Sequence, residues 1–130
     1  MKVTENKKER FSVNWWKQNL TEQIVSDPII VSEFDDNQSN PNVTWSGNGY
    51  LIVWEDSRNI LISEEDIYFQ EYYSSNFTHE IGGIALTNFE KKQENPTISK
   101  YSDSDDSFVI FWEDYRSTGK AFCANLYGQS

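Results

Sequence analysis

Hydrophobic and polar residues alternate along this chain in short segments that turn residues separate. The segments 50–54, 67–73 and 108–112 are rich in Val, Ile, Leu, Tyr, Phe and Trp, a composition typical of β-strands. Gly, Asn, Asp and Ser stand between them, as at Gly47 and Gly49, and these residues favour turns. No stretch shows the 3.6-residue period of an amphipathic helix. The pattern predicts an all-β fold.

The segment 50–54 is apolar on both of its faces. Side chains alternate along a strand, so Ile52 and Trp54 point to one face and Leu51 and Val53 to the other. The segment 108–112 has the same arrangement. Because a strand with two apolar faces needs cover on both, we expect sheets that stack face to face.

The second half of the chain repeats the first. Asn-Pro at 40–41 recurs at 95–96, and Trp-Glu-Asp-x-Arg at 54–58 recurs at 112–116. The offset grows from 55 to 58 residues across the segment 102–107, where a loop tolerates insertions. Such internal repetition indicates a repeat architecture.

Each repeat unit is expected to contain four short strands, which we label a to d. They are strand a (43–45 and 97–101), strand b (50–54 and 108–112), strand c (67–73 and 121–127) and strand d (29–31 and 84–86). Residues 9–21 weakly match strand c and the segment after it. Without that match the chain supplies eight strands. They are permuted, because the chain begins with strand d and ends with a-b-c.

The order Asn-Pro, apolar strand, Trp-Glu-Asp-x-Arg and then Asp-Ile-Tyr at 66–68 resembles the blades of extracellular β-propeller proteins. The resemblance covers roughly residues 24–128. It implies antiparallel four-stranded β-propeller-type blades, about two per chain, in a domain of residues 24–130. Residues 1–23 are then a basic N-terminal arm with a possible partial blade strand. The resemblance implies a platform for binding or assembly without naming a ligand.

Two blades cannot close a ring, since propellers have roughly four to eight. Three alternatives follow. The chain is a piece of a longer propeller, or it stays open as a pair of stacked sheets. In the third alternative, copies join head to tail, and each copy gives its strand d to complete the last blade of a neighbour. The last alternative hides a sheet edge that otherwise invites aggregation. We therefore favour a homo-oligomer.

Charge narrows the range of partners. The net charge of −10 disfavours nucleic acid, whose affinity comes from phosphate neutralisation, and it disfavours anionic membranes. Residues 1–17 carry five Lys or Arg against two Glu, so a basic arm precedes an acidic body. The arm is either a solvated, poorly ordered terminus or a segment that docks on an acidic surface, such as that of a neighbouring copy. A single cysteine, Cys123, excludes a disulfide within the chain. Four Asn-x-Ser/Thr triplets weakly favour an extracellular or cell-surface setting.

The repeated charged motif is the most conspicuous candidate site. Its residues are Trp54, Glu55, Asp56 and Arg58 in the first unit and Trp112, Glu113, Asp114 and Arg116 in the second. Repetition favours a structural role, in which Asp caps the b–c turn and Arg pairs with a carboxylate. Glu55 and Glu113 could form the acid pair of a glycosidase. Equivalent repeat positions predict similar surroundings for them, which argues against two different pKa values.

The remaining candidates are weak. Asp103 and Asp105 resemble the start of a Ca²⁺ loop without its Gly and terminal Glu, and one histidine cannot build a zinc site. No cofactor is predicted. Trp15 and Trp16 form either a stacking surface for a sugar or peptide or part of a core.

The sequence predicts a non-enzymatic binding or assembly module with a possible protein or glycan ligand. The alternative is a glycan-active propeller enzyme of the sialidase or glycosidase type, or a fragment of one.

Overall fold

The computed structural model describes residues 2–6, 10–14, 16–18, 23–25, 27–102, 107–116 and 121–128, and the side chains of 27–102 and 107–116. In this part of the chain strands predominate, so the all-β prediction is confirmed. The elements are β1 (Lys2–Asn6), β2 (Arg10–Asn14), β3 (Trp16–Gln18), β4 (Gln23–Val25), β5 (Ile29–Ile30), β6 (Gln38–Trp45), β7 (Gly49–Asp56), α1 (Ile60–Ser63), β8 (Asp66–Tyr73), β9 (Asn76–Phe77), β10 (Ile84–Ala85), β11 (Gln93–Lys100), β12 (Ser107–Asp114) and β13 (Ala121–Gly128).

Three antiparallel sheets contain most of these strands. The N-terminal sheet has the order β1-β2-β5, the central sheet β10-β8-β7-β6 with β9 also on β8, and the C-terminal sheet β11-β12-β13. β3 and β4 form a separate pair. In the central sheet β6, β7, β8 and β10 are the predicted strands a, b, c and d, and β11 to β13 correspond to a, b and c. No helix in the described ranges is long and apolar enough to span a bilayer.

The predicted count of eight strands is too low. β1 pairs with β2, and β2 pairs with β5 through Ser12 opposite Ile30 and Val13 opposite Ile29. The first strand d therefore has partner strands in its own chain, because β5 belongs to the sheet β1-β2-β5. Residues 10–14 alternate charged or polar with apolar side chains, a strand pattern with only one apolar face, which explains the weak match to strand c.

Strand a is longer than predicted, because it runs through the Asn-Pro pair instead of starting after it. The pairing of β6 with β7 shifts register between Ser39 and Asn42, and that of β11 with β12 shifts between Glu94 and Thr97. The asparagine at each shift has a positive φ, 48° for Asn40 and 54° at the equivalent position. Such a β-bulge accommodates the proline, which cannot donate to the ladder.

The central sheet is buried on both faces, as the sequence predicts. One face packs against the C-terminal sheet in a cluster of Leu51, Val53, Ile67, Phe69, Ile98, Phe108, Ile110 and Trp112. The opposite face forms a second cluster of Val31, Ile52, Trp54 and Tyr68. Val31, which directly follows β5, belongs to this second cluster, and β1 and β2 contact β6. The central and C-terminal sheets therefore stack face to face, and the N-terminal sheet adjoins the central sheet at β6.

The middle strand of the C-terminal sheet, β12, is buried on one face. Ile110 and Trp112 are buried towards the central sheet, whereas Val109 is half-buried and Phe111 is 44% exposed. Within the described part of this chain, strand b of the second unit is covered on one face only. We call the side of the C-terminal sheet that carries Val109 and Phe111 the outer face.

Candidate functional site

The motif at 54–58 is organised around the buried carboxylate of Asp56. This carboxylate accepts hydrogen bonds from Trp54 Nε1 at 2.9 Å, from the backbone N–H of Arg58 at 2.9 Å and from Arg58 Nη2 at 2.5 Å. Asp56 thus caps the turn after β7 and pairs with the arginine two residues later, as predicted for a structural role.

Arg58 joins three segments of the chain. Its guanidinium carbon lies 3.7 Å from the ring centroid of Phe34 and 4.0 Å from that of Tyr68. Its Nη2 also donates to the carbonyl oxygen of Gly82 at 2.8 Å. A cation between two ring faces is stabilised by both, so Arg58 fixes the b–c turn against the segments that precede β6 and β10.

The second copy of the motif repeats the pairing of Asp with Arg and the packing of Arg on a Phe ring. Asp114 accepts from the backbone N–H of Arg116 at 2.9 Å and from its Nε at 2.8 Å. The guanidinium lies 3.7 Å from the ring centroid of Phe89, the repeat equivalent of Phe34. Since the contacts recur with the sequence, they fit a structural device of the repeat.

Glu55 and Glu113 differ, and the expectation of similar surroundings is wrong. The buried carboxylate of Glu55 accepts from Ser39 Oγ at 3.0 Å, from Asn40 Nδ2 at 2.8 Å and from the backbone N–H of Asn95. It therefore connects the bulge of its own sheet with that of the C-terminal sheet. The half-buried Glu113 accepts from the Tyr115 hydroxyl at 3.2 Å. The difference arises because Glu55 lies between two sheets and Glu113 lies in the last one.

Two other ionisable groups have shifted pKa values. Burial raises the pKa of Asp66, although Ser63 Oγ at 2.5 Å and Thr87 Oγ1 at 3.1 Å donate to its carboxylate. The hydrogen bond with Glu94 raises the pKa of Tyr115 to about 12. These shifts leave Asp66 as a buried carboxyl in a hydrogen-bonded turn and Tyr115 as a neutral phenol at physiological pH.

The structure gives no side-chain contacts for the weaker candidate site residues. Trp15, Asp103 and Asp105 lie outside the described residues, and Trp16 is the first residue of β3, with a side chain that is not among those described. Among the residues that are described, no three His, Cys, Asp or Glu form a group that could hold a metal ion.

The outer face is the feature that sequence reasoning did not single out. With the 58-residue offset of the motif, Val109 and Phe111 are the equivalents of Leu51 and Val53, which the C-terminal sheet covers almost completely. A signal was present, since 108–112 is apolar on both faces. Whether one or both faces of this strand are covered depends on the position of its sheet in the stack.

No protein-family model, curated protein or solved structure gives a significant match to this chain. The resemblance to extracellular propeller blades therefore stays a prediction. The function has to be inferred from the geometry of the chain itself.

Proposed function

We propose that this chain is a non-enzymatic assembly module whose stacked sheets are propeller-type blades, and that copies join head to tail through the outer face. The observation that carries the proposal is the equivalence of Phe111 and Val53. Val53 is fully buried under the next sheet, while Phe111 at the same repeat position is 44% exposed. Phe111 and the half-buried Val109 lie on one face at positions that the repeat covers in the central sheet, and an apolar patch of this kind favours an interaction surface.

The orientation of successive sheets indicates which surface packs against the outer face. Ile110 and Trp112 face the central sheet, and their equivalents Ile52 and Trp54 lie on the side of the central sheet that looks away from the C-terminal sheet. The central and C-terminal sheets therefore have the same orientation. We extend this order to the N-terminal sheet, so that the stack has two different ends. Contact between such ends is heterologous and forms a ring when the rotation closes. The occupant is the N-terminal sheet of a second copy.

Charge supports this pairing. The first 17 residues carry a net charge of +3, and the remaining residues carry the acidic excess. Complementary charge steers the encounter of two ends and fixes their relative orientation. The basic segment includes all of β1 and β2, two of the three strands of the N-terminal sheet.

Two copies supply six sheets, which lies within the roughly four to eight blades of propellers. In this arrangement β5 stays paired with β2 of its own chain, and faces stack instead of strands being exchanged. A closed ring of two copies covers both outer faces. This arrangement replaces the transfer of strand d between neighbours.

The environment of Glu55 argues against the alternative of a glycan-active enzyme. A glycosidase needs two carboxyl groups that are free to act on one sugar. The Glu55 carboxylate is buried and already accepts hydrogen bonds from Ser39, Asn40 and Asn95. We therefore propose a module without hydrolytic activity.

The test is the solution mass of a matched pair of variants measured by light scattering. Phe111→Glu places a charge in the centre of the outer face and is expected to halve the mass without unfolding the chain. Tyr101→Glu changes an aromatic residue that is 66% exposed and is expected to leave the mass unchanged. A Phe111→Glu variant that keeps the mass of the unmodified chain would contradict the proposal, as would an unmodified chain that is already monomeric.

A further inference from the structure

Four aromatic rings form a row across one end of the central sheet. Strand register places Trp45 opposite Tyr50, Tyr50 opposite Tyr72, and Tyr72 opposite Phe77. The ring centroids of Trp45 and Tyr50 are 4.7 Å apart, and those of Tyr72 and Phe77 are 5.1 Å apart. Trp45 is 50% exposed and the other three rings are half-buried. The row therefore presents aromatic surface to solvent.

A cleft of about 300 Å³ lies over this row. We call it the aromatic cleft; its rings are Trp45, Tyr50 and Tyr72, and its polar rim is Asn48, Ser74 and Ser75. A second cleft of about 360 Å³ adjoins it, shares Asn48, Tyr50 and Tyr72, and adds Glu71 and Thr78. Clefts of this size hold small ligands.

The rim of the aromatic cleft contains an unfavourable turn. Tyr73 pairs with Asn76, so Ser74 and Ser75 are the two central residues of a hairpin turn, and their φ angles are 49° and 68°. Two-residue turns with positive φ strongly favour Asn-Gly. Backbone strain of this kind concentrates at functional sites. Ser74 and Ser75 thus provide hydroxyl groups at a turn where structure alone would favour Asn-Gly.

The aromatic cleft departs from the repeat at one of its rings. In the C-terminal sheet the register aligns Lys100, Phe108 and Tyr127. Phe108 and Tyr127 are aromatic like Tyr50 and Tyr72, whereas a lysine occupies the position of Trp45. The packing of the repeat therefore does not require the exposed indole of Trp45, and a ligand explains it better.

We propose that the aromatic cleft binds a neutral saccharide. A sugar ring has an apolar C–H face that packs on aromatic rings, and its hydroxyl edge can bond to Asn48, Ser74 and Ser75. The adjoining cleft extends the site and places the carboxylate of Glu71, which accepts from Thr78 Oγ1 at 3.1 Å, beside it. This carboxylate and the net charge of −10 disfavour anionic saccharides. The site goes beyond assembly and does not use Phe111.

Titration calorimetry with neutral hexasaccharides (maltohexaose, cellohexaose, mannohexaose and xylohexaose) tests the site, and a hyaluronan hexasaccharide serves as the anionic probe. We expect binding of at least one neutral probe and none of the anionic one. Trp45→Ala is expected to weaken binding at least tenfold. The matched control Tyr101→Ala removes an exposed aromatic residue outside the aromatic cleft and is expected to bind as the unmodified chain does.

A double variant, Ser74→Asn with Ser75→Gly, separates binding from folding. The relaxed turn is expected to raise the Tm, while the loss of both hydroxyls lowers affinity at least threefold. Three outcomes would overturn the proposal: no neutral probe binds, the anionic probe binds as well as the neutral ones, or Trp45→Ala binds unchanged. If Trp45→Ala instead lowers the solution mass, the row belongs to the contact between copies and the saccharide site is rejected. Assembly is tested separately, because it depends on Phe111.

Discussion

The central and C-terminal sheets have the same strand pattern but differ in what covers them. In the central sheet all side chains from residue 51 to 54 are at most 1% exposed, whereas in the C-terminal sheet burial alternates along 108–112. A strand with two apolar faces thus requires a sheet on each side. Whether both sheets are present depends on the position of the strand's own sheet in the stack. Substitutions at matched positions of the two units measure this difference.

The largest expected difference is between Leu51→Ala and Val109→Ala, which occupy equivalent repeat positions. Leu51 is 1% exposed in the core between two sheets, so its truncation is expected to cost about 2–5 kcal/mol of the free energy of unfolding. Val109 is half-buried on the outer face, and its truncation should cost less than about 1 kcal/mol in a monomeric background such as Phe111→Glu. Urea denaturation of both variants in that background measures the two values, and equal losses would show that the two faces are covered alike.

The next difference is between Glu55→Gln and Glu113→Gln. The amide of Gln keeps one acceptor oxygen, so the first variant loses charged hydrogen bonds in the connection to Asn95 and is expected to lose about 1.5–3 kcal/mol. Glu113 accepts from Tyr115 in a half-buried site, and a change within about 0.5 kcal/mol is expected. The midpoints of chemical denaturation report both effects. Glycosidase activity that disappears in one variant alone would instead support the enzyme alternative.

A smaller difference is expected between Trp54→Phe and Trp112→Phe. Trp54 Nε1 donates to Asp56, whereas Trp112 Nε1 is buried without a hydrogen-bond partner in the described part of the chain. Both variants lose ring volume, but only the first leaves a buried acceptor with one donor fewer. We expect Trp54→Phe to be the more destabilising by about 1–2 kcal/mol. A larger loss for Trp112→Phe in thermal unfolding would show that its indole N–H is satisfied after all.

The smallest effect concerns Asp66, an acid whose aligned position in the second unit is Lys120 in the sequence. Burial raises its pKa above the ordinary value of 3.8, so the folded state binds the proton more tightly than the unfolded state. The resulting loss of stability is absent below pH 3.8 and grows as the pH rises through the folded pKa. Asp66→Asn is therefore expected to compare more favourably with the unmodified chain at pH 7 than at pH 3. A difference between the two proteins that does not change with pH would contradict the raised pKa.

Local patterns were sufficient to predict strands a to d of the first unit and the pairing of Asp with Arg in the charged motif. Alternation in 50–54 predicted which side chains share a face, and recurrence of Asp56 and Arg58 at 114 and 116 predicted a turn device. These features depend on residues that are close in sequence. They therefore appear directly in the periodicity and spacing of the chain.

Features that depend on distant pairing could not be predicted in this way. The bridge from Glu55 to Asn95 joins two sheets, and the row from Trp45 to Phe77 exists only because of the register of four strands. The pairing of β2 with β5 was hidden because β2 has one apolar face. In each case the sequence contains the residues but not the contact that gives them a role.

The most direct test of the stack as an assembly unit is sedimentation equilibrium of the unmodified chain between about 1 and 100 μM, a range in which mass action reveals association. We predict a species of twice the chain mass, which two chains of three sheets each would form. A single-chain mass at every concentration would contradict the central claim that a second copy covers the outer face.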